Sequence, residues 1–163
     1  MHSILFPALL IGVVPSVSTH GHIVDPSARM PGNAMEAQEM QIAQGQSDFN
    51  AAKCELTLCK GYQFADNTAN VQSFTAGQVV NLKAVVTAPH TGTMNVSVVD
   101  TTQNAVIGDP LIYFPVYASD AAPIPPNSTA FSVTMPDVSS QCGTAGVCAL
   151  QWHWNAADVN QTY

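Results

Sequence analysis

His20 is the residue whose type and position could support the most chemistry. A hydrophobic leader precedes it, and it opens the segment His20–Arg29. If the leader is cleaved between Thr19 and His20, the mature chain begins with histidine. Its α-amino group then has a pKa of about 7.7–8.0 and can lose its proton to a metal near neutral pH. This amine and an imidazole nitrogen, completed by a second imidazole, form a donor set that suits copper.

Residues 1–19 have the features of a secretory signal peptide. Their apolar run is shorter than the roughly 20 residues that cross a bilayer, and no second apolar segment follows it. We expect cleavage before His20, with cuts after Ser18 or Gly21 as alternatives. The sequence therefore predicts a secreted, soluble protein without a membrane span.

Sequons and cysteines agree with secretion. Three N-glycosylation sequons begin at Asn95, Asn127 and Asn160. Cys142 and Cys148 flank a short segment and could close a loop between two strands, while Cys54 and Cys59 could pair with each other. Four cysteines permit three connectivities, and the sequence does not choose among them.

The charge of the chain is low and acidic. Only 9% of residues are charged, Lys and Arg number four, and the formal net charge is −7. Such a chain has no basic patch for nucleic acid or an anionic lipid surface, but it leaves room for a neutral partner such as a polysaccharide. We predict one domain over residues 20–163, acting as a monomer.

Alternation of apolar and polar residues from Gly77 onward is typical of β-strands. The clearest runs are 80–86, 94–98, 131–135 and 148–154. They predict an all-β, immunoglobulin/fibronectin-III-like antiparallel sandwich. The least β-like part, Gly32–Lys53, is predicted to be an insertion after the first strand with a short helix over Ala34–Ala43. Residues Ala118–Ser128 are predicted to form a surface loop.

Three further positions could contribute to chemistry. His90 lies between two predicted strands, where a histidine can reach the sheet end that also holds the N-terminus; the alternative is a solvated loop histidine. Gln161 and Tyr163 point the same way in an extended segment, although an ordinary strand pair has the same spacing. In Gln151–Trp154, both tryptophans are expected to face the core, which places His153 on the solvent side.

Taken in order, these segments resemble lytic polysaccharide monooxygenases, the copper histidine-brace family, and in particular its chitin-binding type-4-like members. His20–Arg29 is similar to the family's His-Gly-x-hydrophobic-x-x-Pro-x-x-Arg opening, and Thr87–His90 is similar to its Thr-Ala-x-His. Leu150–Ala156, running on to Gln161–Tyr163, resembles its closing strand and Gln-x-Tyr ending. The resemblance extends over nearly the whole predicted mature chain.

The resemblance implies a copper site. His20 would bind the metal through its amine and one ring nitrogen, and His90 through one ring nitrogen. Tyr163 would lie near the axial position, and Gln161 would donate a hydrogen bond beside the metal, which makes these two the catalytic candidates. Arg29 is implied to be structural, holding the N-terminal strand in place.

The activity that the resemblance implies is oxidative. With an external electron donor and dioxygen or hydrogen peroxide, the family oxidises C1 or C4 of a glycosidic linkage in chitin, cellulose or starch. The sequence does not identify which of these polysaccharides is the substrate. The family usually has a cysteine shortly after its Gln-x-Tyr, so we expect a chain that ends at Tyr163 to be truncated there.

Three alternatives to this enzyme remain open. Cys59–Tyr62 resembles the Cys-x-Gly-Tyr segment of fungal copper-acquisition proteins, non-catalytic relatives whose axial position tends to hold an acid, where this chain has Tyr163. His20-Gly21-His22 alone could chelate copper(II) through four nitrogens without His90. A carbohydrate-binding module without redox chemistry would need neither His90 nor a free His20 amine.

Overall fold

The computed structural model describes residues 20–36 and 62–163, and within them the chain forms two antiparallel sheets. The first sheet contains β1 (Gly21–Asp25), β2 (Val79–Val86) and β5 (Ala130–Thr134), in the order β1-β2-β5. The second contains β3 (Gly92–Asp100), β4 (Ala105–Tyr117), β6 (Cys148–Ala156) and β7 (Gln161–Thr162), in the order β4-β3-β6-β7. This arrangement confirms the predicted all-β, immunoglobulin/fibronectin-III-like sandwich.

Helical structure in the described residues is confined to short segments. α1 (Asn33–Glu36) follows β1, α2 (Pro126–Thr129) precedes β5, and 3-10 turns cover Phe64–Asp66 and Thr68–Asn70. No helix in these parts of the chain is long and apolar enough to span a bilayer. α1 overlaps the start of the predicted helix Ala34–Ala43 and begins one residue before it, while the continuation after Glu36 falls outside the described residues.

Other predictions also fall outside residues 20–36 and 62–163. They are the signal peptide over residues 1–19, the pairing of Cys54 with Cys59, and most of the segment Cys59–Tyr62. By contrast, the predicted pair Cys142–Cys148 is a disulfide, which closes the short loop before β6. The segment Ala118–Ser128 connects β4 to β5 and includes the start of α2.

The core lies between the two sheets and follows the period-2 pattern of the sequence. On β2, Val80, Leu82 and Ala84 are buried while the residues between them are exposed. They face Met94 and Trp154 of the second sheet, both of which are fully buried. Each large apolar side chain that leaves water contributes roughly 1.5–3 kcal/mol, so this interface provides much of the stability.

Two strand connections and one strand start lie together at one end of the sandwich. β1 begins at Gly21, which pairs with Val86 at the end of β2. The β2–β3 connection follows directly, and Gly92 at the start of β3 packs against the end of β6. The short β7 then returns beside β6, pairing Asn155 with Thr162. This end of the fold therefore contains the residues that carry the predicted chemistry.

Candidate functional site

The main chain of His20 is attached to the β2–β3 connection. Its carbonyl oxygen accepts hydrogen bonds from the backbone N–H of Thr87, at 2.9 Å, and of Ala88, at 3.4 Å. The next residue, Gly21, lies on the indole rings of Trp152 and Trp154, where a Cβ atom would be 3.1 Å from each ring. A Cβ atom at position 21 would require the indole rings or β1 to shift by a few tenths of an ångström, so the glycine allows His20 to lie close to the second sheet.

His90 reaches His20 from the β2–β3 connection. The centroids of the two imidazole rings are 5.1 Å apart, and their planes are inclined by 49°. His90 also stacks over Trp154, with centroids 6.4 Å apart and an interplanar angle of 28°. Metal–imidazole bonds are about 2.0–2.1 Å in zinc sites, so two nitrogens on opposite sides of one ion lie roughly 4 Å apart. Ring centroids lie farther from the ion than the bonded nitrogens do. The centroid separation of 5.1 Å is therefore compatible with a shared ion.

Tyr163 packs against the His20 ring and against Trp154, the residue on which His90 stacks. Its ring centroid lies 5.4 Å from that of His20 and 4.6 Å from that of Trp154. Backbone hydrogen bonds in both directions, of 2.8 and 2.9 Å, hold Tyr163 opposite Trp154. The phenol is 9% exposed and donates a hydrogen bond to Oε1 of Gln161. Gln161 and Tyr163 therefore share one side of the extended segment, as their spacing predicts.

The phenol of Tyr163 is neutral at physiological pH. Burial and the negative charge of the nearby Asp158 carboxylate raise the pKa of Tyr163 above its ordinary value. Removing the phenolic proton would place an anion in a partly desolvated position next to an existing negative charge. Tyr163 therefore lies beside the His20 ring as a neutral phenol.

The remaining candidates lie elsewhere on the fold. His22 is exposed on β1, opposite Val85 of β2. His153 is half-buried on β6, on the face opposite Trp154, as its position in the strand predicts. Arg29 donates a hydrogen bond of 3.2 Å from Nη1 to the carbonyl oxygen of Tyr62, which agrees with the structural role expected of it.

The donor set limits which metals the site can hold. In the described residues, no group of three or more His, Cys, Asp or Glu side chains is arranged to bind a metal. His20 and His90 provide two imidazoles at this position, and a main-chain nitrogen could provide a third donor. The α-amine that cleavage before His20 would release is such a donor, and a set of three nitrogens fits copper.

One group of residues at this site gave no recognisable signal in the sequence. Thr91, next to His90, donates its backbone N–H to Oδ2 of Asp158 at 2.8 Å and its hydroxyl to Oδ1 of Asp120 at 2.7 Å. These residues come from three separate connections of the fold, and none lies in a periodic pattern or a motif. Only the tertiary structure brings them together.

Comparison with known proteins adds no assignment: no protein-family model and no curated protein sequence matches this chain.

Proposed function

We propose that the chain, once cleaved before His20, is a secreted copper-dependent monooxygenase that breaks the glycosidic bonds of a polysaccharide by oxidation at C1 or C4. The observation that carries this proposal is the proximity of the His20 and His90 rings above Tyr163. These residues are far apart in sequence, and a sandwich needs no such group at its end for stability. The resemblance of the three motifs to lytic polysaccharide monooxygenases supports the same conclusion.

Each protein group has a distinct role in this proposal. His20 and His90 bind the metal, and Trp154, stacked on His90 and in tilted contact with Tyr163, holds both rings in place. Tyr163 covers one side of the site as a neutral phenol, and its bond to Gln161 fixes that amide beside the metal. Bound copper would supply the redox chemistry on a C–H bond that ordinary side chains do not perform.

The accessibility of the site suits a polymeric substrate. Both histidine side chains are partly exposed, and the neighbouring turn Ala157–Asn160 is fully on the surface. A polysaccharide chain can approach such a surface without entering a pocket. The low charge of the protein also favours a neutral substrate over a charged polymer.

The second candidate function is copper acquisition without catalysis. It would use the same pair of histidines, and the partial match of Cys59–Tyr62 to the copper-acquisition proteins favours it. Tyr163 favours the enzyme instead, since those relatives tend to have an acid at that position. The two functions therefore differ in reactivity and not in metal binding.

The first experiment establishes the metal site. Mass spectrometry of the secreted protein should find His20 as its first residue. Copper(II) titration should then show one tight site that is weakened at least about 100-fold by His90→Ala, since a ligand should matter no less than the supporting groups of a metal site. His153→Ala is the matched control, because that imidazole lies on the opposite face of the strand that holds Trp154. If His22→Ala abolishes binding while His90→Ala preserves it, a three-residue chelate is responsible and the brace is wrong.

The second experiment separates the enzyme from the copper carrier. The copper-loaded protein is incubated with chitin, cellulose or starch plus ascorbate, and the products are analysed by mass spectrometry. The enzyme should release aldonic acids or C4-ketone oligosaccharides from at least one substrate. Tight copper binding with all three substrates intact would favour the carrier.

A further inference from the structure

Thr91 joins three connections of the fold beside the candidate metal site. Its N–H donates to Asp158, in the turn between β6 and β7, and its hydroxyl donates to Asp120, between β4 and α2. Asp120 returns a bond, since its own N–H donates to Oγ1 of Thr91 at 3.3 Å. The backbone N–H and the hydroxyl of Thr91 are therefore both hydrogen-bonded to aspartates from other connections of the chain.

These bonds fix the backbone on one side of His90, while the other side is fixed by His20. Ala88 donates its N–H to the carbonyl oxygen of His20, two residues before His90. Thr91 is bound immediately after it. The backbone that carries the His90 imidazole is thus held on both sides. Without these hydrogen bonds, metal binding would have to order the loop and so lose conformational entropy.

We propose that Asp158 and Asp120 are positioning residues that hold the His90 loop in a metal-ready arrangement before any ion is bound. The metal-binding role of this arrangement rests on the proposed function, whereas its hydrogen bonds do not. Hydrogen bonds to an ionised carboxylate are stronger than those between neutral groups, which suits the two acids to this task. Neither residue contacts the metal in this proposal, so each acts only through Thr91.

Variants at Thr91 and Asp158 separate the two bonds. Asp158→Ala removes the acceptor of the backbone N–H, whereas Asp158→Asn keeps an acceptor oxygen and loses the charge. Thr91→Val removes the hydroxyl that binds Asp120 and keeps the N–H, whereas Thr91→Ser keeps both donors. We expect Asp158→Asn and Thr91→Ser to keep most of the loop order and copper affinity that Asp158→Ala and Thr91→Val lose.

Asp100 provides a matched control at the other end of the sandwich. Its exposed carboxylate accepts hydrogen bonds from the backbone N–H of Thr102 and of Gln103 in the β3–β4 turn. β3 runs from Gly92 to Asp100, so this turn is about 25–30 Å from the site. Asp100→Ala should lower stability as a surface turn variant does, without changing the His90 loop.

The test begins with the copper-free protein. Nuclear magnetic resonance should show contact between the His20 and His90 rings and slow exchange of the Thr91 amide hydrogen. In Asp158→Ala, that exchange should be at least about 10-fold faster, and the contact between the rings should weaken. Unchanged exchange and contact in this variant would overturn the proposal, whether or not the wild-type protein binds copper.

Copper binding supplies the second readout. We expect Asp158→Ala and Thr91→Val to weaken copper affinity by about 10-fold or more and to change the electron paramagnetic resonance spectrum, as loss of groups that orient metal ligands does. Asp100→Ala should keep the wild-type affinity and spectrum. If Asp100→Ala has the same effect, or if neither site variant has one, the two acids only stabilise the fold. Should Asp158→Ala fail to fold, the comparison of Thr91→Val with Thr91→Ser decides the question.

Discussion

Replacing Gly92 with alanine would test how tightly the start of β3 is packed against β6. An added Cβ would lie 1.8 Å from the carbonyl oxygen of Asn155, 2.8 Å from its carbonyl carbon and 2.9 Å from Cα of Ala156. All three are backbone atoms, so no side chain can rotate to make room. The two strands themselves would have to separate.

The cost of that separation can be worked from the structure. Non-bonded carbon atoms pack at about 3.5–4.0 Å, so the backbones would have to move apart by more than about 1 Å. This movement would strain the β3–β6 pairing next to Met94 and Trp154, which are fully buried. Overpacking of a core typically costs about 1–3 kcal/mol, and here only backbone can yield. We expect Gly92→Ala to lower the free energy of unfolding by at least about 3 kcal/mol.

Two other glycines serve as controls. At Gly143, a Cβ would meet only the carbonyl oxygen of Ser139 at 3.5 Å, so alanine should change the stability by less than about 1 kcal/mol. At Gly77 the space is open but φ is +77°, so alanine should cost about 1–2 kcal/mol from backbone strain alone. Urea unfolding followed by tryptophan fluorescence measures all three. The reasoning is refuted if Gly92→Ala lies within about 1 kcal/mol of Gly143→Ala.

Two further predictions concern the buried phenol of Tyr117 and the disulfide. In the described residues the buried Tyr117 hydroxyl has no partner at full hydrogen-bond geometry, and the Trp152 indole N–H interacts with it only weakly, so Tyr117→Phe should leave the free energy of unfolding unchanged or raise it by about 1 kcal/mol. Burial raises the pKa of Tyr117 to about 12, so the folded state keeps a proton that the unfolded state releases from pH 10 upward. The free energy of unfolding of the wild type should therefore fall between pH 10 and pH 12, by up to about 1.4 kcal/mol per pH unit. Urea unfolding at pH 9–11 measures this fall, which should be smaller for Tyr117→Phe. Replacing Cys142 and Cys148 together with alanine should cost about 2 kcal/mol at neutral pH, as expected for a short closed loop, and equal stability would contradict this.

The parts of the fold that could be predicted are those in which one sheet face is buried and the other is exposed to solvent. Alternation on β2 and β6 identified both strands and placed the indoles of Trp152 and Trp154 on the inner side. β4 gave no such signal, because Gly108, Pro110 and Pro115 interrupt its pattern. A strand at the edge of its sheet, as β4 is, tolerates proline because one row of its N–H groups has no ladder to join.

The structure brings together the two histidines that the sequence proposed as ligands, but the hydrogen bonds that support them were not predicted. His20 and His90 were proposed because a histidine at an expected processed terminus or on a strand connection has few structural uses. The disulfide Cys142–Cys148 was one of the pairs that spacing allowed, and the structure was needed to select it. Asp120 and Asp158 were not predicted, since a carboxylate in a polar loop has the same sequence environment whether it faces water or binds a distant amide.

The separation along the chain of the residues that meet at this site has a consequence for biosynthesis. The ribosome makes His20 long before Tyr163, and the rings of these two residues come together only when β7 has paired with β6. Contacts this distant along the chain carry a large loop-closure cost and slow folding. A copper ion encountered by the nascent chain would find the peptide His20-Gly21-His22 without its later neighbours. If the proposed copper site is correct, loading in the right geometry would therefore follow the synthesis of Tyr163, and the timing of metal delivery would become a step in maturation.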